Sequence, residues 1–201
     1  MLEASSAIAA ALATGGHDGA EGRRRLRLGE RRGWHLVQLG HYGATATGFA
    51  VAVSRVLGQE LPCSSTVAGH AGPDVIMRIA PDQYWVVTDD TGRAAALAAA
   101  VPIEVGTVLD LSASRTRLVI EGADARAVLA KLVPIDLHPS AFEVGRFVQT
   151  GVHHVGGLLH RAAGDRYQYF ALRTYGATTW EAIADAALQF GYDTFIDGDP
   201  A

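Results

Sequence analysis

Cysteine occurs once in this 201-residue chain, at Cys63. A single thiol leaves no intrachain disulfide and no zinc-ribbon spacing, and it fits a reducing compartment. Long apolar runs are missing as well: no stretch approaches the roughly 18 residues that a membrane span needs. The opening Met1 to Thr14 is rich in alanine, but it carries Glu3 and no basic leader, a poor secretory signal. Cationic excess is also lacking. The formal net charge is −4, and the one basic cluster, Arg23-Arg24-Arg25 with Arg27, Arg31 and Arg32, sits beside Glu21 and Glu30. It reads as a solvated linker face rather than a nucleic-acid footprint. No GxGxxG opens a helix, and neither a GxxxxGK[ST] loop nor a GxSxG elbow occurs, so dinucleotide, P-loop and α/β-hydrolase chemistry have no motif here. A cytoplasmic protein without a nucleotide site of its own is expected.

What is present suits a globular fold. Hydrophobic residues make up 49% and charged residues 19%, enough to bury a sizeable core. Residues 1–33 read as a flexible tail, with a short alanine-rich helix over Met1 to Ala13 broken by Gly15, Gly16, Gly19 and Gly22. Residues 192–201, acidic and ending in Gly198 and Pro200, read as a second tail. Between them strands and helices alternate. Strands are expected at 34–39, 74–79 and 84–88, the last two as a hairpin turned by Pro81-Asp82. Helices are expected at 45–57, stopped by Gly58, and at 93–100, closed by Pro102. The second half repeats this grammar, with strands at 105–111, 116–121, 147–150, 155–159 and 167–172 and helices at 123–132 and 178–190. Thr178 with Glu181 suggests a capping box, Trp180, Ile183, Ala184, Ala187 and Leu188 line one face, and Gly191 suits the C-terminal cap. Hairpins between helices indicate an α+β protein rather than a doubly wound parallel sheet, in two loosely similar lobes at about 34–104 and 105–191.

Candidate chemistry is sparse. Of the eight histidines, His153-His154 point to opposite sides if extended, and His138 precedes Pro139 in a loop. Asp110 stands out among the carboxylates because it interrupts the apolar run Val108-Leu109-Asp110-Leu111. A buried carboxylate needs a cation or donors, and Arg115 and Arg117 are close in sequence, so a structural contact with an arginine or with backbone is expected rather than catalysis. Cys63 has no partner for nucleophilic chemistry. The segment from Pro134 to Gly145 concentrates Ile135, Leu137 and Phe142 between stiffening prolines. It either folds onto its own core or covers another chain, and Phe142 is the residue to test.

Asp110-Leu111-Ser112, Ser114-Arg115-Thr116, Gly122 and the helix with Ala125, Val128 and Leu129 resemble the gamma subunit family of heterotetrameric sarcosine oxidase. The likeness continues through Pro134-Ile135-Asp136-Leu137-His138-Pro139, Phe142, Gly145 and Thr150. Upstream, Arg78-Ile79-Ala80-Pro81-Asp82-Gln83-Tyr84-Trp85 looks like the family's Gly-Pro-Asp-Glu-Trp hairpin, with Ala80 in place of the usual glycine. Arg173-Thr174-Tyr175-Gly176 stands where the family has Arg-Arg-Ser-Phe. The resemblance spans about residues 34–191. It implies two mixed, mainly antiparallel lobes like the folate-binding domain of the glycine-cleavage T-protein. It further implies a non-catalytic subunit with alpha, beta and delta partners. The complex would demethylate sarcosine to glycine, passing the methyl carbon to tetrahydrofolate and forming hydrogen peroxide. FAD, FMN, NAD and tetrahydrofolate are implied on the partner subunits, with none on this chain. Asp110, Ser114, Arg115, Asp136, His138 and Phe142 become structural or interface candidates, and no catalytic or metal residue is expected. The alternatives are a subunit of a related N-methyl amino acid dehydrogenase complex and a stand-alone folate-dependent aminomethyltransferase, for which Asp110 would have to reach a pterin. An iron–sulfur-assembly protein of the same fold would carry Lys-Gly-Cys-Tyr-x-Gly-Gln, and Leu61-Pro62-Cys63-Ser64 does not match it.

Overall fold

The computed structural model describes residues 6–12 and 15–197. In chain order it contains α1 (Ala9–Leu12), β1 (Leu26–Arg31), β2 (His35–His41), α2 (Ala46–Leu57), β3 (Gly69–Ala71), β4 (Asp74–Ala80), β5 (Gln83–Thr88), α3 (Arg93–Ala100) and β6 (Gly106–Asp110). These are followed by β7 (Arg115–Glu121), α4 (Ala125–Leu129), β8 (Phe147–Val152), β9 (Val155–Ala163), β10 (Arg166–Leu172), α5 (Gly176–Ala187) and β11 (Tyr192–Asp197). The chain divides into two compact units. Gly33–Ala113 forms an inserted unit, and the described residues up to Arg32 and from Ser114 onward form the host unit. The division falls after β6, so the strand expected to open the second lobe belongs to the first. Its hydrogen-bonding partner is β2.

In the inserted unit the sheet order is β3-β4-β5-β2-β6. Strands β2 and β4 run parallel with β5 antiparallel between them, joined through α2: a split β-α-β arrangement. One face of the sheet gives Val37, Leu39, Ile76, Tyr84 and Val86, and the helices answer with Phe49, Val53 and Leu57 from α2 and Leu97 from α3. The i, i+4, i+8 spacing of the three α2 residues makes that helix amphipathic. Gly58 adopts φ +74 and its N–H caps the Ser54 carbonyl at 2.8 Å, which ends the helix.

The host unit repeats the plan. Its sheet runs β11-β1-β7-β10-β9-β8. Strands β7, β9 and β10 reproduce the split arrangement, and β1 takes the place beside β7 that β6 takes beside β2. Leu28, Leu118, Ile120, Leu159, Tyr167 and Tyr169 meet Trp180, Ile183 and Ala187 of α5, Val128 and Leu129 of α4, Leu12 of α1 and Ile8 just before it. The α+β class and mainly antiparallel sheets expected from the sequence are observed; among the described residues only β1 with β11 is a parallel neighbour pair.

Three expectations require correction. Residues 26–31 and 192–197 are strands rather than tails. Leu26 and Leu28 point into the core, and the arginines read as a solvated linker pair with acids on neighbouring strands: Arg24 with Asp193 at 2.6 Å, Arg31 with Asp197 at 3.2 Å, Arg27 with Glu121 at 3.5 Å. The helix expected over Met1 to Ala13 is described only at Ala9–Leu12; residues 1–5 and 13–14, and 198–201 of the second expected tail, lie outside the described residues. The capping box also fails. Helix α5 begins at Gly176, running on from a 3₁₀ turn over Arg173–Tyr175, so Thr178 lies inside it. Gly191 does take φ +72, and its N–H caps the Ala187 carbonyl at 3.1 Å.

Candidate functional site

Asp110 ends β6 exposed, and of the two structural contacts expected for it, with an arginine or with backbone, the backbone one is found and a buried pair with Arg115 is not. Its carboxylate accepts two hydrogen bonds from Ser112: the backbone N–H at 2.9 Å and the hydroxyl at 2.5 Å. An aspartate that bonds its own backbone two residues on makes an Asx turn, so the residue closes the strand without a cation. These two bonds hold the Asp110 carboxyl below its ordinary range, the hydroxyl contributing most, with His35 adding a smaller pull. Ser112 Oγ also accepts the Leu36 N–H at 3.1 Å and lies 3.4 Å from His35 Nδ1. The order Asp–Ser–His is the reverse of a nucleophilic relay, where the histidine lies between acid and serine. The cluster pins β2 to the turn after β6.

Ser114 and Arg115 open the host unit, half-buried. The Arg115 guanidinium reaches the Ser114 carbonyl at 3.4 Å, and partial burial lowers its pKa from the usual value. Asp136 and His138 lie exposed on the loop after α4. Asp136 accepts the His138 N–H at 2.8 Å, a second Asx turn, and His138 Nδ1 lies 2.8 Å from Ser140 Oγ.

Phe142 settles the reading of that loop. It is 5% exposed and belongs with Leu137 to the host core, while Ile135 packs partly against it. The Phe142 carbonyl accepts a bond from Arg161 at 2.7 Å. The apolar residues that suggested a docking surface face their own sheet. The exposed apolar side chain of this loop is Val144.

The sequence reading missed Asp74. It looked like the polar start of an alternating strand after Gly72-Pro73, yet it is fully buried. Arg93 at the start of α3 places Nε 2.9 Å from it and also reaches Asp90 at 3.4 Å. The signal available was an arginine at the first position of a helix otherwise made of alanine and leucine, where only a specific partner favours a cation. His153 and His154 form the β8–β9 turn with ring centroids 6.3 Å apart, His153 at φ +51. Among the described residues no three His, Cys, Asp or Glu side chains converge as a metal site would require, and no helix is long and apolar enough to cross a membrane.

The model of the sarcosine oxidase, gamma subunit family matches residues 41–189. The sarcosine oxidase subunit gamma of an Arthrobacter species is 32% identical over 190 residues, 93% of this chain and 90% of that protein. The corresponding subunit of Corynebacterium sp. strain U-96 is 31% identical over 72% of this chain and 71% of its own length. Among solved structures, a chain of the heterotetrameric sarcosine oxidase from Corynebacterium sp. U-96 in complex with pyrrole 2-carboxylate superposes with a TM-score of 0.83 at 27% identity, covering 92% of this chain and 95% of that one. The glycine cleavage system aminomethyltransferase T from Bartonella henselae shares the fold, with a TM-score of 0.58 at 15% identity over 87% of this chain and 48% of that one.

Proposed function

The chain belongs to the sarcosine oxidase gamma subunit family, and from that membership we propose that it is the gamma subunit of a heterotetrameric sarcosine oxidase, assembled with alpha, beta and delta partners. The observation that carries this reading is the extent of the match: 92% of the chain superposes on 95% of one subunit of the Corynebacterium enzyme. In this assembly the chain has a structural role. The complex demethylates sarcosine to glycine, with the methyl carbon passed to tetrahydrofolate and hydrogen peroxide formed. FAD, FMN, NAD and tetrahydrofolate are assigned to the partner chains, in keeping with the missing nucleotide motifs. The setting is cytoplasmic.

The stand-alone aminomethyltransferase reading is less well supported. The chain spans about half the length of the T-protein enzyme whose fold it shares, and Asp110, its only candidate pterin ligand, is engaged by Ser112. Affinity capture of the chain from its native host, followed by mass spectrometry and a flavin spectrum, tests the proposal. Three further chains and a flavin spectrum in the captured complex are expected, with the isolated chain colourless and inactive toward sarcosine. Capture of the chain alone, or sarcosine turnover by the isolated chain, would overturn it.

A further inference from the structure

A cavity of about 610 Å³ opens in the inserted unit, and its lining includes neither Asp110 nor Arg115, Asp136, His138 or Phe142. That volume falls in the range of small-molecule sites. Its floor is the Tyr84 ring, backed from beneath by the fully buried Phe49 ring, which stacks on it with centroids 6.3 Å apart, and His41 tilts against Phe49 at 5.4 Å. One wall is the first half of α2, which presents the small residues Ala46 and Ala50 and the exposed Val51. Leu61 and Pro62 of the loop after α2 close the opposite side.

Arg78 is the cation in this lining. It projects from β4, and its guanidinium lies 6.0 Å from the centre of the Tyr84 ring. One terminal nitrogen donates to the Cys63 carbonyl at 2.9 Å and the other to the Pro81 carbonyl at 2.5 Å. These bonds fix the fork. A guanidinium has five N–H donors, so two bonds leave three unspent. One of the three, at Nε, is buried with no hydrogen-bond partner. A fixed cation with spare donors beside an aromatic floor is the arrangement that recognises a carboxylate carrying a flat apolar body. The N-terminal end of α2 adds partial positive charge on the same side. Glu60, exposed on the lining, disfavours a second negative charge on the ligand.

We propose that this cavity is a binding site for a small monocarboxylate with a planar apolar body, held by Arg78 over the Tyr84 floor. The proposal is independent of the subunit assignment.

Benzoate is the probe, with benzamide as its neutral isostere and phthalate as the dianion, titrated into the ¹⁵N-labelled full chain by NMR. Benzoate should give saturable shifts at Ala46, Ala50 and Arg78 with a Kd on the order of 1–10 mM, as expected for so few ligand atoms. Benzamide and phthalate should bind about tenfold more weakly. Val51→Glu, an exposed change that leaves the fold alone, should weaken benzoate about tenfold and leave benzamide unaffected. Arg78→Lys should weaken benzoate severalfold because the fork is lost. If Arg78→Lys loosens the loop it ties, Val51→Glu still decides the matter. Absence of saturable shifts, shifts mapping outside the cavity, equal binding of benzoate and benzamide, or benzoate binding unaffected by Val51→Glu would each overturn the proposal.

Discussion

Phe142→Ala separates a core role from a docking role. The ring is 5% exposed and sits among Leu137, Val128 and Leu129 of the host core. A phenylalanine buries roughly 150–250 Å², and at about 25 cal/mol/Å² its transfer is worth about 4–6 kcal/mol. Alanine retains a small part of that, and measured Phe→Ala changes in cores cost about 3–5 kcal/mol. A loss of about 4 kcal/mol is therefore expected. At about 2–4 °C per kcal/mol for a chain of this size, the midpoint should fall by about 8–16 °C. The assay is thermal unfolding of the full chain by circular dichroism, run beside capture of partner chains at a temperature where the variant remains folded. Val144→Asp on the same loop is the control. Val144 is exposed, so its change should alter stability by less than about 0.5 kcal/mol. The folded fraction of Phe142→Ala should assemble normally. An unchanged midpoint with lost assembly would refute the core assignment and restore Phe142 as an interface anchor.

Asp74→Asn removes the buried carboxylate facing Arg93. Breaking a buried pair costs about 3–5 kcal/mol, and because Arg93 keeps Asp90 at 3.4 Å the lower end is expected in urea unfolding. Tyr-Gly-Ala-Thr occurs twice, at 42–45 and 175–178, and its glycines should respond oppositely to alanine. Gly43 has open space in a 3₁₀ turn, so Gly43→Ala should be neutral or stabilise by up to about 1 kcal/mol. At Gly176 an added Cβ would lie 2.9 Å from Thr116 Oγ1 and 3.1 Å from Ala7, so Gly176→Ala should lower the melting midpoint. Tyr169 is pushed up to about 12 by burial, while its hydroxyl donates to the Thr150 and Val155 carbonyls of the β8–β9 hairpin. A raised folded-state value means that its contribution is complete below about pH 10, the unfolded tyrosine value, and is lost as pH rises through about 12. Absorbance titration at the phenolate band should show a late component that loses its highest part in Tyr169→Phe, with Tyr167 and Tyr192 also raised by burial; a wild-type titration complete by pH 10.5 would contradict this.

Helices and hairpins were legible where local chemistry and tertiary demand agree. Phe49, Val53 and Gly58 specify α2 and its end without help from elsewhere, and Arg93–Ala100 is a helix by propensity alone. Strand β1 was not legible, because its alternation of Leu26 and Leu28 is crowded by arginines whose partners lie far along the chain at Glu121 and Asp197. Asp74 was invisible for the same reason, its ion-pair partner lying 19 residues on at Arg93. The repeated Tyr-Gly-Ala-Thr shows the limit most directly. One copy forms a 3₁₀ turn ahead of α2, while the other straddles the end of such a turn and the start of α5. The tetrapeptide marks a strand-to-helix handover, and packing sets the register.

The position of β1 has a consequence for the order of events at the ribosome. Leu26–Arg31 emerges early, yet as a strand it pairs with β7 and β11, with Leu28 opposite Ile120 and Thr194. All strands of the inserted unit leave the exit tunnel before either partner appears, so that unit can close while β1 still waits with two bare edges. An unpaired strand is a template for association with other chains, and the arginines at 27 and 31 guard it by charge until Glu121 and Asp197 arrive. A nascent chain stalled between β7 and β11 would hold β1 sealed on one side only, and the acids that neutralise its arginines would be half delivered.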